Sequence, residues 1–441
     1  MLTREKPGCA GSGGGANAAV SAAAPYCKEN HAMSARFPIE QVRAQFPALT
    51  RTHNGRTVAY FDGPGGAQTV QSAIDAVTGY LTRGGANLHG NFPSSHETEA
   101  LIAKAKEDIA VLFNAKPGEI AFGPNATSLM FQVSRALARD WGPGDEILLT
   151  ELEHHANIDT WRTAAEDKGA TVKYIPLDTK SLTLDLDTLP SLLSEKTRLV
   201  AVGSASNCIG TITDVKRIAQ AAKKVGALVA VDAVHAIPHM HVDREEQGID
   251  FLFSSAYKFF AAHVGMAIIR ADLFEKLDVY KVVPAPANVP DRLETGTQNH
   301  EGIPSVSCGI EFIAGLGMGQ TLDERIRSGY KAIEEYENSL AEVIRAEMGK
   351  MKGITMYQAA ADVPKTPTIA FRADPVTPRD FCIRMCEEHG VFIAEGDFYA
   401  QTLAERLGIR DKGSFIRAGM APYNTMEEVE RFLEGVRQII A

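Results

Sequence analysis

The sequence has few cysteines, no long apolar run and no excess of positive charge. Six cysteines among 441 residues do not make a disulfide framework, and they favour a reducing cytoplasm. No apolar stretch of the sequence is long enough to span a bilayer. Lysine and arginine number 45 against 55 aspartates and glutamates, so no basic field recruits nucleic acid or an anionic membrane. We therefore expect a cytoplasmic protein whose partners are neither membranes nor nucleic acids.

The first 33 residues differ in composition from the rest of the chain. They are rich in glycine, alanine and serine and show neither helical nor strand periodicity. Glycines interrupt the apolar region that a signal peptide needs, and charged residues and proline interrupt its flanks. We expect residues 1–33 to be a disordered leader, with Met33 the more natural start, and residues 1–32 to contribute nothing to the functional site.

Helical and strand patterns alternate from about residue 97 onward. Short β-branched runs such as "DEILLT", "TRLVAVGS" and "ALVAVD" are separated by amphipathic helical segments. This alternation predicts an α/β fold with a mainly parallel sheet and helices on both faces. The pattern loosens near residue 283, and a smaller α+β region follows a long helix near 321–350. We expect a large domain over 56–299 and a small domain formed by 34–55 with 300–441.

Cys382 and Cys386 stand four residues apart in "PRDFCIRMCEEHG", a helical pattern. They therefore share one face of a helix. Because the sequence around them offers no matching histidine or cysteine pair, core packing is favoured over metal ligation. We expect no metal site.

Lys258, in "SSAYKFF", lies in one of the more apolar runs of the chain, directly after the strand-like "GIDFLF". Burial favours the neutral form of an amine, and a neutral amine in a protected pocket is what Schiff-base chemistry requires. The alternative is an ordinary lysine that lays its stem along apolar surface with its head in water. The residues at the other strand ends distinguish these two interpretations.

Polar residues follow several of the predicted strands, where open α/β sheets bind their ligands. "ALVAVD" ends in Asp232, with His235 on the exit loop. "IAFGPNAT" places Ala126 and Thr127 at a helix N-terminus, whose free N–H groups favour an anion such as phosphate. The other strand ends carry His154, His155, Asn207, Ser255 and Tyr257.

Together these groups suit pyridoxal 5'-phosphate. A lysine forms an imine, a carboxylate keeps a pyridine nitrogen protonated, an imidazole stacks on a flat ring, and a helix N-terminus takes a phosphate. Each group alone has a structural explanation, since a strand-end aspartate can cap a helix and a strand-end histidine can be a satisfied core residue. Their presence at successive strand ends favours the cofactor site.

Seven segments stand in a specific order: "YFDGPGGAQ", "EHHANI", "SASNCIGT", "VDAVHAIPH", "SSAYKFFAAHVG", "ETGTQN" and "FIRAGMAPYNT". In this order they resemble the class V aminotransferase superfamily, and within it the cysteine desulfurase and selenocysteine lyase group. The resemblance runs from about residue 37 to the C-terminus. It implies the PLP-dependent transferase fold type I, with a seven-stranded, mainly parallel sheet, a smaller α+β C-terminal domain, and a homodimer with active sites shared between subunits.

By this resemblance Lys258 carries the cofactor covalently and Asp232 pairs with its pyridine nitrogen. His154 stacks on the ring, and Asn207 and His235 lie near the ring hydroxyl. The phosphate is held by Ala126, Thr127, Ser255 and Tyr257, with Thr297 reaching in from the partner subunit.

Three of these positions depart from the residues usual in the family. His235 stands in place of glutamine, and Tyr257 replaces a histidine with a hydroxyl that can make a similar hydrogen bond. Ala126 replaces a hydroxyl residue and offers only its backbone N–H. These departures adjust the site without changing the expected cofactor.

Arg417, in "FIRAGM", matches the arginine that binds a substrate's α-carboxylate, a task suited to a planar two-pronged donor. A surface arginine is the alternative, but Arg417 stands between apolar residues on a predicted strand. His89, in "ANLHGNF", matches a substrate-side histidine. A small α-amino acid is therefore the expected substrate.

Tyr399 occupies the place of the desulfurase's nucleophilic cysteine, or a neighbour of it, and no cysteine lies between 387 and 441. A phenol cannot accept sulfur as a persulfide. Three hypotheses follow: a C–S lyase or related enzyme that works without a persulfide, an aminotransferase or epimerase, or a non-catalytic relative that serves as a binding partner. The presence of Lys258, Asp232 and Arg417 disfavours the third.

Overall fold

A seven-stranded sheet forms the centre of the protein, whose computed structural model describes residues 37–441. The predicted leader lies outside the described residues. Strand Gly265–Ile269 runs antiparallel to both of its neighbours, and the other six strands run parallel to one another. From edge to edge the strands are Ile120–Gly123, Gly265–Ile269, Phe251–Ser255, Leu228–Asp232, Thr197–Gly203, Glu146–Thr150 and Thr171–Ile175. This confirms the predicted α/β fold with a mainly parallel sheet.

Both faces of this sheet are buried, which explains why its central strands are nearly continuous apolar runs. Side chains alternate between the faces along a strand. In Thr197–Gly203, Val200 and Val202 join the core on one face, whereas Leu199 and Ala201 join the core on the other.

A second, antiparallel sheet of four strands lies in the C-terminal part of the chain. The N-terminal segment packs here, since the Phe37 ring stacks on Tyr336 with centroids 4.0 Å apart. Strand Ala59–Tyr60 pairs in parallel with Val391–Phe392. The first of these strands begins a few residues after position 56, where the sequence predicts the start of the large domain. In spatial order the four strands are Ile354–Tyr357, Thr368–Ala373, Phe415–Gly419 and Ala394–Gly396.

Helices connect the strands and cover the sheets. Capping boxes begin the two long helices near the C-terminus, with Thr321 and Glu324 at one and Thr425 and Glu428 at the other. Across residues 37–441, no helix combines the length and apolar character that crossing a bilayer requires. The α-helices are Ile39–Arg43, Gln71–Arg83, Pro93–Phe113, Ala126–Leu137, Ala156–Glu166, Leu189–Leu192, Val215–Lys224, Arg244–Gln247, Ala271–Phe274, Ile303–Gly315, Leu322–Met348, Pro378–His389, Gln401–Arg406 and Met426–Ile440.

Short elements complete the fold. The 3-10 turns are Pro47–Thr50, Pro117–Glu119, Ala138–Asp140, Leu186–Thr188, Ala256–Lys258 and Arg410–Lys412. Two hairpins have strands of two residues each. In one, Thr52–His53 pairs with Arg56–Thr57, and in the other, Leu177–Asp178 pairs with Thr183–Leu184.

Candidate active site

A cavity of about 510 Å³ lies at the carboxyl ends of the parallel strands, where strand-end residues meet the loop that leads into helix Gln401–Arg406. The structure brings together here all but two of the site residues predicted from the sequence. Those lining the cavity are Ala126, Thr127, His154, Asn207, Asp232, His235, Ser255, Tyr257, Lys258, Tyr399 and Arg417.

Lys258 ends the 3-10 turn that follows strand Phe251–Ser255, and it is buried. Its Nζ donates hydrogen bonds to the carbonyl oxygens of Pro64, at 2.5 Å, and Gly65, at 3.0 Å. Burial, aided by the nearby charge of Arg417, lowers the pKa of Lys258 to about 7. The amine is therefore substantially unprotonated near neutral pH, as a nucleophile toward a carbonyl must be.

Asp232 and His154 face the cavity from the ends of strands Leu228–Asp232 and Glu146–Thr150, which lie on either side of strand Thr197–Gly203. Burial raises the pKa of Asp232 to about 6, although the Val234 N–H, 2.9 Å from its Oδ1, opposes this. Burial lowers the pKa of His154 to about 4, so its ring is neutral. Because Nδ1 of His154 accepts the Ala156 N–H at 3.0 Å, the ring proton lies on Nε2. The site thus offers a flat neutral ring and an acceptor for a protonated nitrogen.

The N-terminus of helix Ala126–Leu137 forms the anion-binding end of the cavity. Asn125 caps the helix by accepting the Ser128 N–H at 2.8 Å. The Ala126 N–H donates to Ser255 Oγ at 3.2 Å, which ties the strand end to the helix. Gly265 permits this approach, because a Cβ there would lie 2.4 Å from the backbone carbonyl carbon of Asn125. The N–H groups of Ala126 and Ser128 are bonded within the protein, and the helix dipole together with the N–H of Thr127 between them suits a phosphate.

Three residues that line the cavity, His235, Asn207 and Arg417, each have a buried polar side-chain atom without a hydrogen-bond partner, which in Arg417 is Nε. The Nε2 of His235 lies between the hydroxyls of Thr366, at 3.2 Å, and Thr368, at 3.0 Å, and its Nδ1 is unpartnered. Asn207 donates through Nδ2 to the Phe398 carbonyl at 2.7 Å, and its Oδ1 is unpartnered. Buried polar atoms are normally paired, so these three indicate a ligand with hydrogen-bonding groups. Pyridoxal phosphate fits this set of donors and acceptors.

Arg417 reaches the cavity from strand Phe415–Gly419 and is buried. Its Nη1 donates to the Asn207 carbonyl at 2.8 Å, and its guanidinium lies 3.7 Å from the Phe398 ring centroid. Its Nη2 lies 3.6 Å from Asp62 Oδ1. A buried guanidinium held on three sides is preorganised to bind a carboxylate.

Tyr399 lies at the mouth of the cavity on a loop with left-handed backbone, with φ of 55° at Phe398 and 59° at Tyr399. The His155 N–H donates to the Tyr399 carbonyl at 2.7 Å, and the His155 ring contacts Thr402. The Tyr399 ring stacks on His154 with centroids 5.2 Å apart, and the residue is 71% exposed. His155 therefore holds the loop, and Tyr399 covers one side of the site.

Two predicted site residues do not line the cavity of the single chain. His89 is exposed, with its N–H donating to Glu99 Oε1 at 2.6 Å. Thr297 is exposed as well. The role predicted for Thr297 involves the partner subunit. The predicted roles of both residues stay predictions.

Several acidic residues lie near the site that the sequence patterns did not predict. Glu153 lines the cavity, is fully buried and accepts hydrogen bonds from Thr150, Asn157 and the Gly203 N–H. Burial raises its pKa to about 7. Glu153 directly precedes His154 at a strand end, and this position in the sequence could have predicted it as a site residue. Asp62, in the strand-like "YFD", and the lining residues Glu395 and Asp397 gave no comparable pattern.

Comparison with known proteins identifies the family. The family described as Aminotransferase class-V matches residues 59–432. A cysteine desulfurase of Pectobacterium carotovorum subsp. carotovorum is 31% identical over 419 residues, covering 91% of this chain and 98% of that protein. One of Enterobacter sp. (strain 638) is 31% identical over 422 residues, with the same coverage of both chains.

Solved structures agree with this assignment. The cysteine desulfurase CsdA from Escherichia coli has a TM-score of 0.79 at 27% identity, covering 91% of this chain and 98% of its own. A cysteine desulfurase from Thermococcus onnurineus NA1 has a TM-score of 0.80 at 25% identity, covering 92% and 98%. These similarities confirm the PLP-dependent fold type I. The chain belongs to the class V aminotransferase family, and it is a pyridoxal phosphate-dependent enzyme of the cysteine desulfurase-like kind.

Proposed function

We propose that this enzyme cleaves a C–S or related bond of a small α-amino acid without forming a persulfide on a cysteine of its own. The observation that carries the proposal is the chemistry of the cavity mouth. Tyr399 stands there, and among residues 37–441 no cysteine lines the cavity. A phenol cannot take up sulfur by thiol exchange.

The described cysteines lie away from the cavity or are inert. Cys208 follows the site residue Asn207, yet it is fully buried and burial raises the pKa of its thiol far above the ordinary range. Cys308 lies on helix Ile303–Gly315, and burial raises its thiol pKa too. Neither supplies the thiolate that a desulfurase needs beside its substrate.

Arg417 is the residue we propose to bind the α-carboxylate of the substrate. It is the buried guanidinium at the substrate side of the cavity, and its contacts with Asn207 and Phe398 fix its plane. A two-pronged, charge-assisted contact orients the amino acid so that its α-hydrogen faces one direction.

Lys258 is the residue we propose to hold the cofactor and then to remove the α-proton. Its amine loses its proton readily because burial lowers its pKa to about 7, so Nζ can accept a proton at neutral pH. Asp232 would keep the proton on the cofactor's pyridine nitrogen, and His154 would stack on the ring. Bound pyridoxal phosphate supplies the electron sink that stabilises a carbanion beside the amino group.

The same proton removal by Lys258 also begins transamination and epimerisation, so product analysis distinguishes the three reactions. Loss of a β-thiolate gives sulfide, ammonia and a keto acid; transamination gives a keto acid without sulfide; epimerisation gives the D-amino acid. The enzyme is incubated with cysteine and other small amino acids, with Lys258→Ala as the control. We expect pyruvate and sulfide from cysteine and no persulfide in the intact-protein mass. A persulfide on any cysteine, formed at the turnover rate, contradicts the proposal.

We also propose a cytoplasmic homodimer with shared active sites. Unpaired thiols at all described cysteines suit a reducing compartment. The segment that leads to Thr297 exposes Tyr280, Val282 and Val283, at 60%, 69% and 95%, as a subunit contact surface does. Sedimentation is expected to give a dimer. Mixed dimers of Lys258→Ala with Thr297→Ala should regain one site of normal cofactor affinity, whereas a site built within one chain gives no recovery.

A further inference from the structure

Three potential metal ligands converge outside the cavity, between the N-terminal hairpin and the end of helix Pro378–His389. They are His53 Nε2, Cys386 Sγ and Glu387 Oε1, which all lie within 4.8 Å of one another. His53 stands 334 residues before Glu387, so the sequence around the cysteine pair gave no sign of it.

The hairpin that presents His53 is fixed by its turn. Strand pair Thr52–His53 and Arg56–Thr57 is joined by Asn54 and Gly55, with φ of 50° and 76°. Asn-Gly is the pair that a tight two-residue hairpin prefers, because both positions need a left-handed backbone. The turn therefore holds the imidazole and the amide of Asn54 in a defined relation to the helix end.

Glu387 is oriented by contacts on both of its oxygens. Asn54 Nδ2 donates to Oε2 at 2.8 Å and to the Glu387 carbonyl at 3.2 Å. Oε1 lies 3.1 Å from His53 Nε2 and 3.7 Å from Cys386 Sγ. One oxygen is thus held by an amide, and the other faces the imidazole and the thiol, as in a carboxylate ligand supported by an outer hydrogen bond.

These separations are close to those around a tetrahedral ion. Zinc bonds of about 2.0–2.3 Å to nitrogen, oxygen and sulfur at tetrahedral angles place neighbouring ligand atoms about 3.2–3.7 Å apart. The 3.7 Å separation between Oε1 and Cys386 Sγ lies in that range, and the 3.1 Å separation between Oε1 and His53 Nε2 lies just below it. The imidazole and the thiol lie within 4.8 Å of each other, so a small side-chain rotation brings the third pair to the same spacing. A thiolate and a carboxylate would balance the ion's two positive charges, and the soft sulfur selects zinc over magnesium or calcium.

We propose that His53, Cys386 and Glu387 bind one zinc-class divalent ion, with Asn54 as the positioning residue and a fourth ligand from solvent. Binding forms three bonds to the ion and releases the Cys386 thiol proton to solvent, with no change of oxidation state. The ion would clip the hairpin to the helix end, away from the reaction.

Cobalt(II) tests the site because a cobalt–thiolate bond gives a charge-transfer absorption. The holoenzyme is stripped with EDTA, desalted and titrated with Co²⁺. We expect one Co²⁺ per chain with this absorption, displaced by Zn²⁺, and loss of the absorption in Cys386→Ser. Cys382→Ser, one turn earlier on the same helix and buried, is the matched control and should keep it.

Two further measurements separate ligation from folding. Asn54→Gly removes the side-chain amide, and glycine readily adopts the left-handed backbone that this turn position requires. We expect this variant to bind Zn²⁺ about tenfold more weakly or worse, and the melting temperature of the metal-free protein to stay unchanged. In the wild-type protein, Zn²⁺ should protect Cys386 from alkylation while Cys308 reacts as before. Absence of the charge-transfer absorption in the wild type, its persistence in Cys386→Ser, or alkylation of Cys386 unaffected by Zn²⁺ would each overturn the proposal.

Discussion

The Nη2 of Arg417 lies 3.6 Å from Oδ1 of Asp62, so the arginine faces a carboxylate of its own chain. The Arg417 side chain is 5% exposed, whereas that of Asp62 is 44% exposed. The Oδ1 that faces the arginine is itself buried, so an incoming α-carboxylate has to displace it or share the guanidinium with it. We interpret the pair as the device that keeps a buried guanidinium charged and correctly placed before substrate arrives.

Replacing either partner of this pair should change substrate binding in opposite directions. Arg417→Lys loses the two-pronged contact, and we expect kcat/KM to fall by about 100-fold, or roughly 3 kcal/mol. Asp62→Asn removes the competing carboxylate, so KM for an amino acid should fall severalfold with kcat nearly unchanged. Steady-state kinetics on both variants test this. A rise in KM for Asp62→Asn would show that the aspartate helps to bind substrate.

Lys258 should be the residue that carries the cofactor. The purified protein should be yellow, and borohydride reduction should fix the cofactor on the peptide that contains residue 258. Lys258→Ala should lose this attachment although its other lysines are unchanged, because the Nζ of Lys258 is the amine that the cavity encloses. Peptide mass spectrometry identifies the position. A colourless wild-type protein that pyridoxal phosphate cannot reconstitute would contradict the cofactor assignment.

The pH dependence of Lys258 should differ from that of an ordinary lysine. Its pKa is lowered to about 7 by burial first and by Arg417 next, so the neutral amine accumulates as pH rises through 7. In the cofactor-free enzyme, competitive labelling with acetic anhydride should show half-maximal reactivity near pH 7. Exposed lysines, with an ordinary pKa of about 10.4, serve as the internal control. Reactivity of Lys258 that begins only above pH 9 would refute a buried neutral amine.

Tyr399 should decide whether sulfur can be held on the protein. In Tyr399→Cys a thiol stands on the loop whose backbone contacts His155, beside the cavity. We expect weak persulfide formation with cysteine in this variant, detected as a 32-dalton mass increase. Tyr399→Phe keeps the ring that stacks on His154 and should form none. Equal persulfide in the wild type would show that another cysteine reaches the substrate.

Gly265 should be required for the phosphate end of the site. A Cβ at this position would lie 2.4 Å from backbone of Asn125, which cannot move without displacing the helix N-terminus. Gly265→Ala should destabilise the protein by about 1–3 kcal/mol and weaken cofactor binding. Gly142→Ala is the matched control, because beyond its two chain neighbours no atom lies within 4 Å of the point where its added methyl group would stand. Calorimetry and cofactor titration measure both effects, and equal melting of the two variants would contradict the close approach.

The sequence alone determined the central sheet and the residues at its carboxyl edge. Runs such as "TRLVAVGS" and "ALVAVD" are apolar on both faces because helices cover both sides of the sheet, and this pattern is local. Once the strands are parallel, their carboxyl ends meet at one edge, so Asp232 and Lys258 could be placed together from position along the chain. The family resemblance added Arg417 and Tyr399.

Only the tertiary structure decided the contacts between distant segments. The pairing of Arg417 with Asp62, the seat of His235 between two threonine hydroxyls and the approach of His53 to Cys386 all join parts of the chain that no periodicity relates. Such contacts depend on how the two sheets and the N-terminal hairpin pack, and packing is fixed by the shapes of many side chains at once. Local patterns encode which face of a strand or helix is buried, but not which distant side chain it meets.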